Sequence, residues 1–250
     1  MRGSWSLTAG SGIAGSGLAV LRDRADAAYE REASLIRLSG GTATVDAERG
    51  GPRVPVSLDF RYAVKPGAGL RLAVDATPSS EDRWRIDQTS GYSGLRFVST
   101  ERRLTGVAGA AVGGWFDRAL APRWRAGGSA AVGGIRGWLD DLSESEIWWT
   151  TAGPPDRSTG TTAWSGWGYQ ADLCAELSYV LTGPLSASAV AGWRLARVPR
   201  MAAAVVWTSV DASGHLHDEV RTLVIREPDG SPTPFDFSAL YLRAGVRLAL

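Results

Sequence analysis

The chain has 250 residues, with 27 basic and 26 acidic side chains and a formal net charge of +1. This balance, without a clustered basic helix, gives no electrostatic footprint for nucleic acid and argues against a nucleic-acid partner. The single cysteine, Cys174, excludes an intramolecular disulfide and a zinc site built from cysteines. A content of 31 glycines and 11 tryptophans, with only 21% charged residues, favours turn-rich β structure over long helices.

The first pattern in the chain is G-x-G-x-x-G, formed by Gly10, Gly12 and Gly15. A dinucleotide-binding loop has this spacing, but it needs a helix after it and a parallel sheet around it. Residues 18–29 place apolar side chains on one helical face, which is compatible with a short helix in the first long loop. No later segment supplies the alternating helices of a doubly wound sheet. We therefore predict that Gly10 and Gly12 belong to a first strand, point inward and leave room for arginines of neighbouring strands.

Apolar residues at every second position predict antiparallel strands along the rest of the chain. Eight segments show this alternation, near residues 5–13, 54–64, 70–75, 95–114, 124–132, 167–181, 185–195 and 240–250. Short turns at 65–69, 116–122 and 182–184 alternate with long polar connections at 22–53, 77–94, 139–163 and 199–236. Two strand-like pieces, 33–46 and 202–225, are predicted to form hairpins beyond the barrel wall. If they join the wall, the strand count becomes ten or twelve.

This organisation resembles the small outer-membrane β-barrel proteins of Gram-negative bacteria, the eight-stranded class that includes the transmembrane domain of outer membrane protein A. The resemblance implies one all-β domain over residues 1–250, an antiparallel up-and-down transmembrane barrel with short periplasmic turns and long extracellular loops. It implies location in the bacterial outer membrane and contact with outer-membrane lipid or lipopolysaccharide. It also implies recognition of the C-terminal strand by the barrel assembly machinery and a protein partner for the loops. That final strand usually ends in phenylalanine, whereas this chain ends in Leu250.

The polar faces of the predicted strands would point into the lumen, because the outward face of a spanning barrel has to be apolar. They carry charges of both signs, which can pair as an electrostatic plug in a lumen just wide enough to be filled. The predicted network is Asp59, Arg61, Arg71, Asp75, Arg125, Asp172, Glu176, Arg194, Arg243 and Arg247. The alternative is a narrow ion or solute path lined by arginines.

Tryptophans near the strand ends predict two aromatic girdles. Trp5, Trp115 and Trp124 lie towards the short-turn side, and the long-loop side has Trp138, Trp164, Trp167 and Trp193. A soluble lipocalin-like barrel would show the same alternation with its faces reversed. The aromatic bands and the small residues of the presumed outer face favour the membrane.

Few residues indicate chemistry. His215 and His217 share a strand face but lack a third metal ligand, so we expect solvated side chains at a hairpin tip. Trp148 and Trp149 are candidates for a loop contact or for the interfacial belt, and Cys174 is expected to face the lumen. We predict no catalytic, cofactor-binding or metal-binding residue and a structural, adhesive or partner-binding role. The alternatives are a narrow channel and a lipid acyl hydrolase or transferase with a Ser/His/acid set.

Overall fold

The described part of the chain forms one antiparallel sheet and one helix. The computed structural model describes residues 4–14, 19–51, 54–149, 153–210, 216–224 and 230–250. In chain order, the elements are β1 (Trp5–Ala14), α1 (Ala19–Leu38), β2 (Thr42–Glu48), β3 (Val56–Lys65), β4 (Ala68–Thr89), β5 (Arg96–Ala119), β6 (Trp124–Trp148), β7 (Asp156–Thr182), β8 (Leu185–Val198), β9 (Ala202–Val210), β10 (Leu216–Val224), β11 (Phe235–Asp236) and β12 (Ala239–Ala249). Helix α1, the one helix of the described residues, is not apolar enough to cross a membrane.

Part of the sheet closes on itself. Strand β1 pairs with both β3 and β12, neighbouring strands pair from β3 through to β8, and β8 pairs with β12. A closed ring has no unpaired edge, which is the condition for a sheet to lie in hydrocarbon. The other described strands are not members of this ring but pair with its strands or with each other: β2 with β4, β9 with β7, β10 with β9 and β11 with β8. The all-β antiparallel architecture is confirmed, although the described sheet has twelve strands in place of the predicted eight.

The two ends of the ring differ strongly. At one end the strands are joined by short turns, and the chain termini meet there, since Leu250 N–H donates to the Trp5 carbonyl over 2.8 Å. Gly67 and Gly183 have φ values of 74° and 41° in two of these turns, a conformation that favours glycine. At the other end, strands β4 to β7 continue far beyond the ring. They contain 22, 24, 25 and 27 residues, against about 9–11 for a membrane-spanning strand.

The first long connection differs from its prediction. Residues 33–38, predicted as the first arm of a hairpin, are the last turns of the 20-residue helix α1. The helix ends at Leu38. Gly40, two residues later, has a φ of 79°, and Gly41 N–H donates to the Ile36 carbonyl over 3.0 Å. Helix formation is favoured because Ala33 packs on Ile86 of β4, and β2 pairs with β4 rather than with the segment before it. The predicted hairpin over 202–225 is confirmed as β9 and β10, with residues 211–215 and 225 outside the described part.

The main apolar core fills the interior at the long-loop end. Its members come from β5 to β9 and from the segment around β11, and are Val107, Ile135, Leu139, Trp164, Ala196, Val198, Met201, Ala203, Phe235 and Phe237. Phe237, just after β11, is only 6% exposed, and its N–H donates to the Ala196 carbonyl of β8 over 2.8 Å. Its buried ring is therefore part of the apolar layer at this end of the interior.

Candidate functional site

The outer face of the ring is a continuous apolar surface, here called the apolar band. Leu70, Val112, Val132, Leu173 and Leu242 are each about 60% exposed on neighbouring strands. On β6 the band runs from Trp124 to Gly134, eleven residues, before it meets Arg136. This length agrees with the about 9–11 residues that a tilted strand needs to cross a bilayer.

Aromatic residues border the band on both sides. At the short-turn end Trp5 lies 4.8 Å from Tyr62, and Trp124 lies 4.9 Å from Tyr179, measured between ring centroids. At the long-loop end the outward tryptophans are Trp138, Trp167 and Trp193.

Two tryptophans predicted for the girdles point into the barrel instead. Trp164 is only 7% exposed and belongs to the apolar core. Trp115 is half-buried with the Arg61 guanidinium 5.7 Å from its ring. Closeness to a strand end suggested a girdle position for both, but the alternation of the strand puts each on the inward face. The prediction was wrong for these two residues.

The lumen inside the apolar band contains a connected set of ion pairs. Arg61 and Arg71 lie directly opposite each other on β3 and β4, an unfavourable arrangement of like charges. Asp59 accepts from both guanidinium groups, with oxygen–nitrogen distances of 3.1 and 2.6 Å. Arg71 reaches across the lumen to Asp172 of β7, 3.0 Å away, and to the Ser129 hydroxyl, 2.9 Å away. The carboxylates of Asp59 and Asp172 thereby offset the repulsion between the two arginines.

Towards the short-turn end, Arg61 pairs with Glu176 over 2.7 Å, and Glu176 also pairs with Arg247. Arg247 lies 3.8 Å from Asp117, which receives two hydrogen bonds from Arg125, of 2.7 and 3.0 Å. Asp117 is a member of the network that the sequence prediction missed. It was placed in a turn, but β5 and β6 continue past it and direct it inward.

Towards the long-loop end, Arg194 binds Asp75 over 2.6 Å and lies 3.7 Å from Asp172. The Tyr241 hydroxyl donates to Asp172 over 2.8 Å. Arg243 lies over the Tyr241 ring, 4.2 Å from its centroid, rather than in an ion pair of the described residues. All ten predicted residues therefore face the lumen, with Tyr241 and Asp117 as further members.

The centre of the charged lumen leaves little free space. The cavity beside Arg61, Arg71 and Arg243 has a volume of about 20 Å³, roughly the room for one water molecule. A larger cavity of about 470 Å³ lies at the short-turn end, lined by Trp115, Asp117, Arg125 and Arg247. Cys174 is buried there, with its sulfur 3.0 Å from the Ser129 hydroxyl. Side chains therefore fill the interior around Arg61 and Arg71.

The glycines of β1 have a specific packing role. Gly10 and Gly12 face inward, as predicted, and Gly10 lines the small lumenal cavity. A Cβ at Gly12 would collide with the Leu242 carbonyl and lie 2.6 Å from the Arg243 Cα. The room at Gly12 is thus needed by the backbone of β12 more than by an arginine side chain.

A second polar cluster holds helix α1 against the inner face of the extended strands. Trp84 Nε1 donates to Asp26 over 2.8 Å, Arg22 pairs with Asp82 over 2.7 Å, and the Tyr29 hydroxyl donates to Glu101. Burial favours a raised pKa for Asp26, but hydrogen bonds from Arg49 and Trp84 outweigh it and hold the pKa below its ordinary value. Sequence reasoning missed this cluster because its partners are about 60 residues or more apart.

Arg103 and Asp141 belong to the same cluster and form an ion pair with a nitrogen–oxygen distance of 2.7 Å. Burial raises the pKa of Asp141 despite the ion pair, whereas at Arg103 burial is outweighed by Asp141 and Glu101, which raise the pKa. Burial also raises the pKa of Tyr29, and the neighbouring Glu101 adds to this. The charges of this cluster are therefore coupled to one another, and together they hold α1 against the strands.

The two tryptophans predicted as loop contacts lie at the end of β6 and just after it. Trp149 is 61% exposed and donates from Nε1 to Asp156 over 2.6 Å, while the Arg96 guanidinium lies 5.3 Å from the Trp148 ring. His215 and the side chain of His217 lie outside the described residues. No group of three or more His, Cys, Asp or Glu within the described ranges is arranged to hold a metal ion.

No protein-family model matches the chain, and no curated protein is similar to it in sequence. Among solved structures, the fold is similar to that of a major outer membrane protein from Thermus thermophilus, with 13% identity, a TM-score of 0.37 and full coverage of both chains. It is also similar to Neisserial surface protein A, with 13% identity, a TM-score of 0.31 and coverage of 98% of this chain and 96% of that one. The chain resembles outer-membrane β-barrels. At these TM-scores the likeness carries no functional assignment, so function has to be inferred from the chain's own surface and interior.

Proposed function

We propose that the chain is an integral outer-membrane protein whose transmembrane wall is the ring of eight strands, β1, β3 to β8 and β12. The observation that supports this most directly is the inverted distribution of polarity. Apolar side chains cover the outside between two aromatic borders, while the inside is filled with ion pairs. A water-soluble barrel would bury its apolar face and expose its polar one.

The test is a heat-modifiable shift on a gel, because a folded membrane barrel resists unfolding by detergent until it is heated. We expect a shift for the chain refolded in detergent or lipid and precipitation when detergent is removed. A chain that is monodisperse in buffer without detergent would contradict the proposal.

We propose further that the lumen is an electrostatic plug rather than a channel. The linked ion pairs, the cavity of about 20 Å³ and the apolar layer around Phe237 support this reading. Planar bilayers containing the chain should show no discrete conductance steps. Steps that shift when Arg243 or Arg247 is neutralised would favour the channel alternative.

We assign a structural, adhesive or partner-binding role to the long-loop end. Tyr92, 92% exposed, and Trp149, 61% exposed, lie at two of its tips, where exposed aromatic side chains are suited to anchor a partner. Cells displaying the chain should adhere less to a host-cell or matrix surface after the double change Tyr92→Ser and Trp149→Ser. The matched control is Leu120→Ser, an equally exposed apolar residue at the short-turn end. Equal loss in the control would refute the tip assignment.

A role without catalysis is part of the proposal. Purified chain should release no fatty acid from phospholipid or lipid A. Release that is lost on changing His215 or His217 would instead favour the lipid acyl hydrolase.

The C-terminal strand is proposed to recruit the barrel assembly machinery. Strand β12 turns Leu240, Leu242, Val246 and Leu248 outward in the alternation such a signal needs. Leu250→Phe should raise the yield of assembled barrel in cells, and Leu248→Asp should lower it. No effect of either change would argue against this partner.

A further inference from the structure

Three exposed arginines stand close together where the apolar band ends on the long-loop side. Arg136 is on β6, Arg197 is on β8, and Arg200 follows β8; we call them the arginine patch. Arg136 lies directly opposite Trp167 of β7, and Arg197 lies directly opposite Tyr169 of the same strand. The patch therefore flanks two outward aromatic residues at the proposed membrane boundary.

The register sets the spacing within the patch. Arg136 and Arg197 are separated by two strand intervals and offset by two residues, which places their Cα atoms about 12 Å apart. The Arg200 carbonyl lies beside Gly166, the residue before Trp167, so the backbone of the third arginine is close to the same part of β7, and its side chain is exposed. Arginine side chains are long enough for two guanidinium groups to reach one ligand across that distance.

These arginines differ from others on the outer face. Further from the apolar band, Arg83 pairs with Glu81 over 3.2 Å, Arg96 with Asp87 over 2.7 Å, and Arg157 with Glu146 over 3.0 Å. No carboxylate of the described residues forms an ion pair with a member of the arginine patch.

The nearby acids are not ion-paired with the patch. Asp236 lies directly opposite Arg197, where its charge offsets part of the positive charge, but its carboxylate accepts from Ser238 N–H over 2.8 Å rather than from Arg197. Asp140 is four residues beyond Arg136 on β6, about 13 Å along the strand. The patch thus keeps a net positive charge, and no carboxylate of the described residues is ion-paired with its arginines.

We propose that the arginine patch binds the phosphate group of an anionic membrane lipid. The planar guanidinium group binds phosphate through paired hydrogen bonds and is less strongly hydrated than a lysine ammonium. The outward rings of Trp167 and Tyr169 lie at the depth where aromatic side chains meet lipid head groups. This inference rests on the proposed membrane function and names the lipid chemistry for one part of its surface.

The test is native mass spectrometry of the full chain in neutral detergent, with stepwise addition of phosphatidylcholine, phosphatidylglycerol or lipid A. We expect the wild-type chain to bind phosphatidylglycerol or lipid A at least about tenfold more tightly than phosphatidylcholine. The triple variant R136Q/R197Q/R200Q should lose this preference, whereas R157Q, which removes a paired arginine of the same face, should keep it. Added salt should weaken the preference, because exposed charges are screened.

Three results would overturn the proposal: no preference for the anionic lipids, the same loss in R157Q as in the patch variants, or displacement of lipid by inorganic phosphate at equal concentration. The last result would identify a site for a free anion rather than a lipid. Each patch variant should retain the heat-modifiable shift, which keeps a failure of lipid binding separate from a failure of the membrane proposal. If the triple variant does not fold, the single variants R136Q and R197Q are compared with R157Q in the same way.

Discussion

The two halves of strand β4 show opposite arrangements of polarity. In the ring, Leu70 and Leu72 face outward while Arg71 and Asp75 are buried inside. Beyond the register shift between Thr77 and Ser80, the buried inward residues are Asp82, Trp84 and Ile86, and the outward ones are charged. The same strand thus has a charged interior where its exterior is apolar, and two large apolar side chains beside one ion-paired carboxylate where its exterior is charged.

The difference shows which medium each part of the wall is built for. An alternating strand has one apolar face, and that face is buried either against lipid or against the protein's own core. Where the apolar face contacts lipid, the polar face points into the lumen. The charges of the polar face must then be paired, because solitary buried charges are costly. The ion pairs around Arg71 are therefore a consequence of the apolar band, whereas the extended region combines an apolar contact around Ile86 with the ion pairs of the α1 cluster.

The largest expected effect comes from breaking the lumenal ion pairs. Asp172→Ala removes the carboxylate that Arg71 and Tyr241 share, leaving a buried guanidinium without one of its partners. We expect a loss of about 3–5 kcal/mol in the free energy of unfolding, measured by urea titration in lipid vesicles. Asp140→Ala, on the outward face of β6, is the control and should change it by less than about 0.5 kcal/mol. Equal effects would mean that the lumenal pairs do not support the ring.

A core substitution in the extended region should be nearly as costly but local. Ile86→Ala removes a side chain that is only 1% exposed from the contact with Ala33 and Ala43. We expect a cost of about 2–5 kcal/mol, seen as loss of amide-exchange protection in α1 and β2 while the heat-modifiable shift of the ring persists. Ile13→Ala, on the apolar band, should leave α1 protection unchanged. Loss of the gel shift in I86A would show that the two regions unfold together.

This comparison also shows what the sequence could predict. Alternation located every strand of the ring, because a wall facing lipid keeps strict period two over the whole span. It did not show how far β4 to β7 continue, because Pro78 and Ser79 change which positions face inward on β4 and the outward positions then become polar. The polar segment 77–94 consequently looked like a loop.

The candidate site was predictable for a related reason. A charged residue on the polar face of a spanning strand can only point into the lumen, so alternation alone assigned all ten network residues to that side. Which of them pair depends on strand register and on the barrel closing, and neither is local in sequence. The same limit applies to α1, where Tyr29 and Glu101 meet across 72 residues. The helical pattern of residues 18–29 is visible in the sequence. The full length of α1 is not, because it depends on the burial of Ala33 against Ile86.

A charge placed on the apolar band should cost less than a broken lumenal pair. Leu72 is 43% exposed on the outward face of β4 within the ring. Leu72→Arg should lower the free energy of unfolding in bilayers by about 2–4 kcal/mol, because a charge is costly on the lipid face of a barrel. Glu81→Arg on the outward face beyond the register shift should cost less than about 1 kcal/mol, the range of an exposed ion pair. The two urea midpoints measure the contrast, and comparable losses would place both sites in the same medium.

The smallest expected effect is a pH dependence confined to the α1 cluster. Burial of Asp26 is outweighed by hydrogen bonds from Arg49 and Trp84, which keep its folded-state pKa below its value in the unfolded chain. The stability contributed by the Asp26 carboxylate is therefore complete above the unfolded pKa of about 3.9 and is lost as the pH falls through the folded pKa. The raised pKa of Asp141 acts with the opposite sign, since its protonation on acidification favours the folded state. Amide-exchange protection factors of α1 should accordingly fall, as the pH drops below about 4, by less in Asp26→Asn than in the wild-type chain. An identical fall in both would mean that another group controls how α1 is held, and that the cluster depends on its apolar contacts more than on its charges.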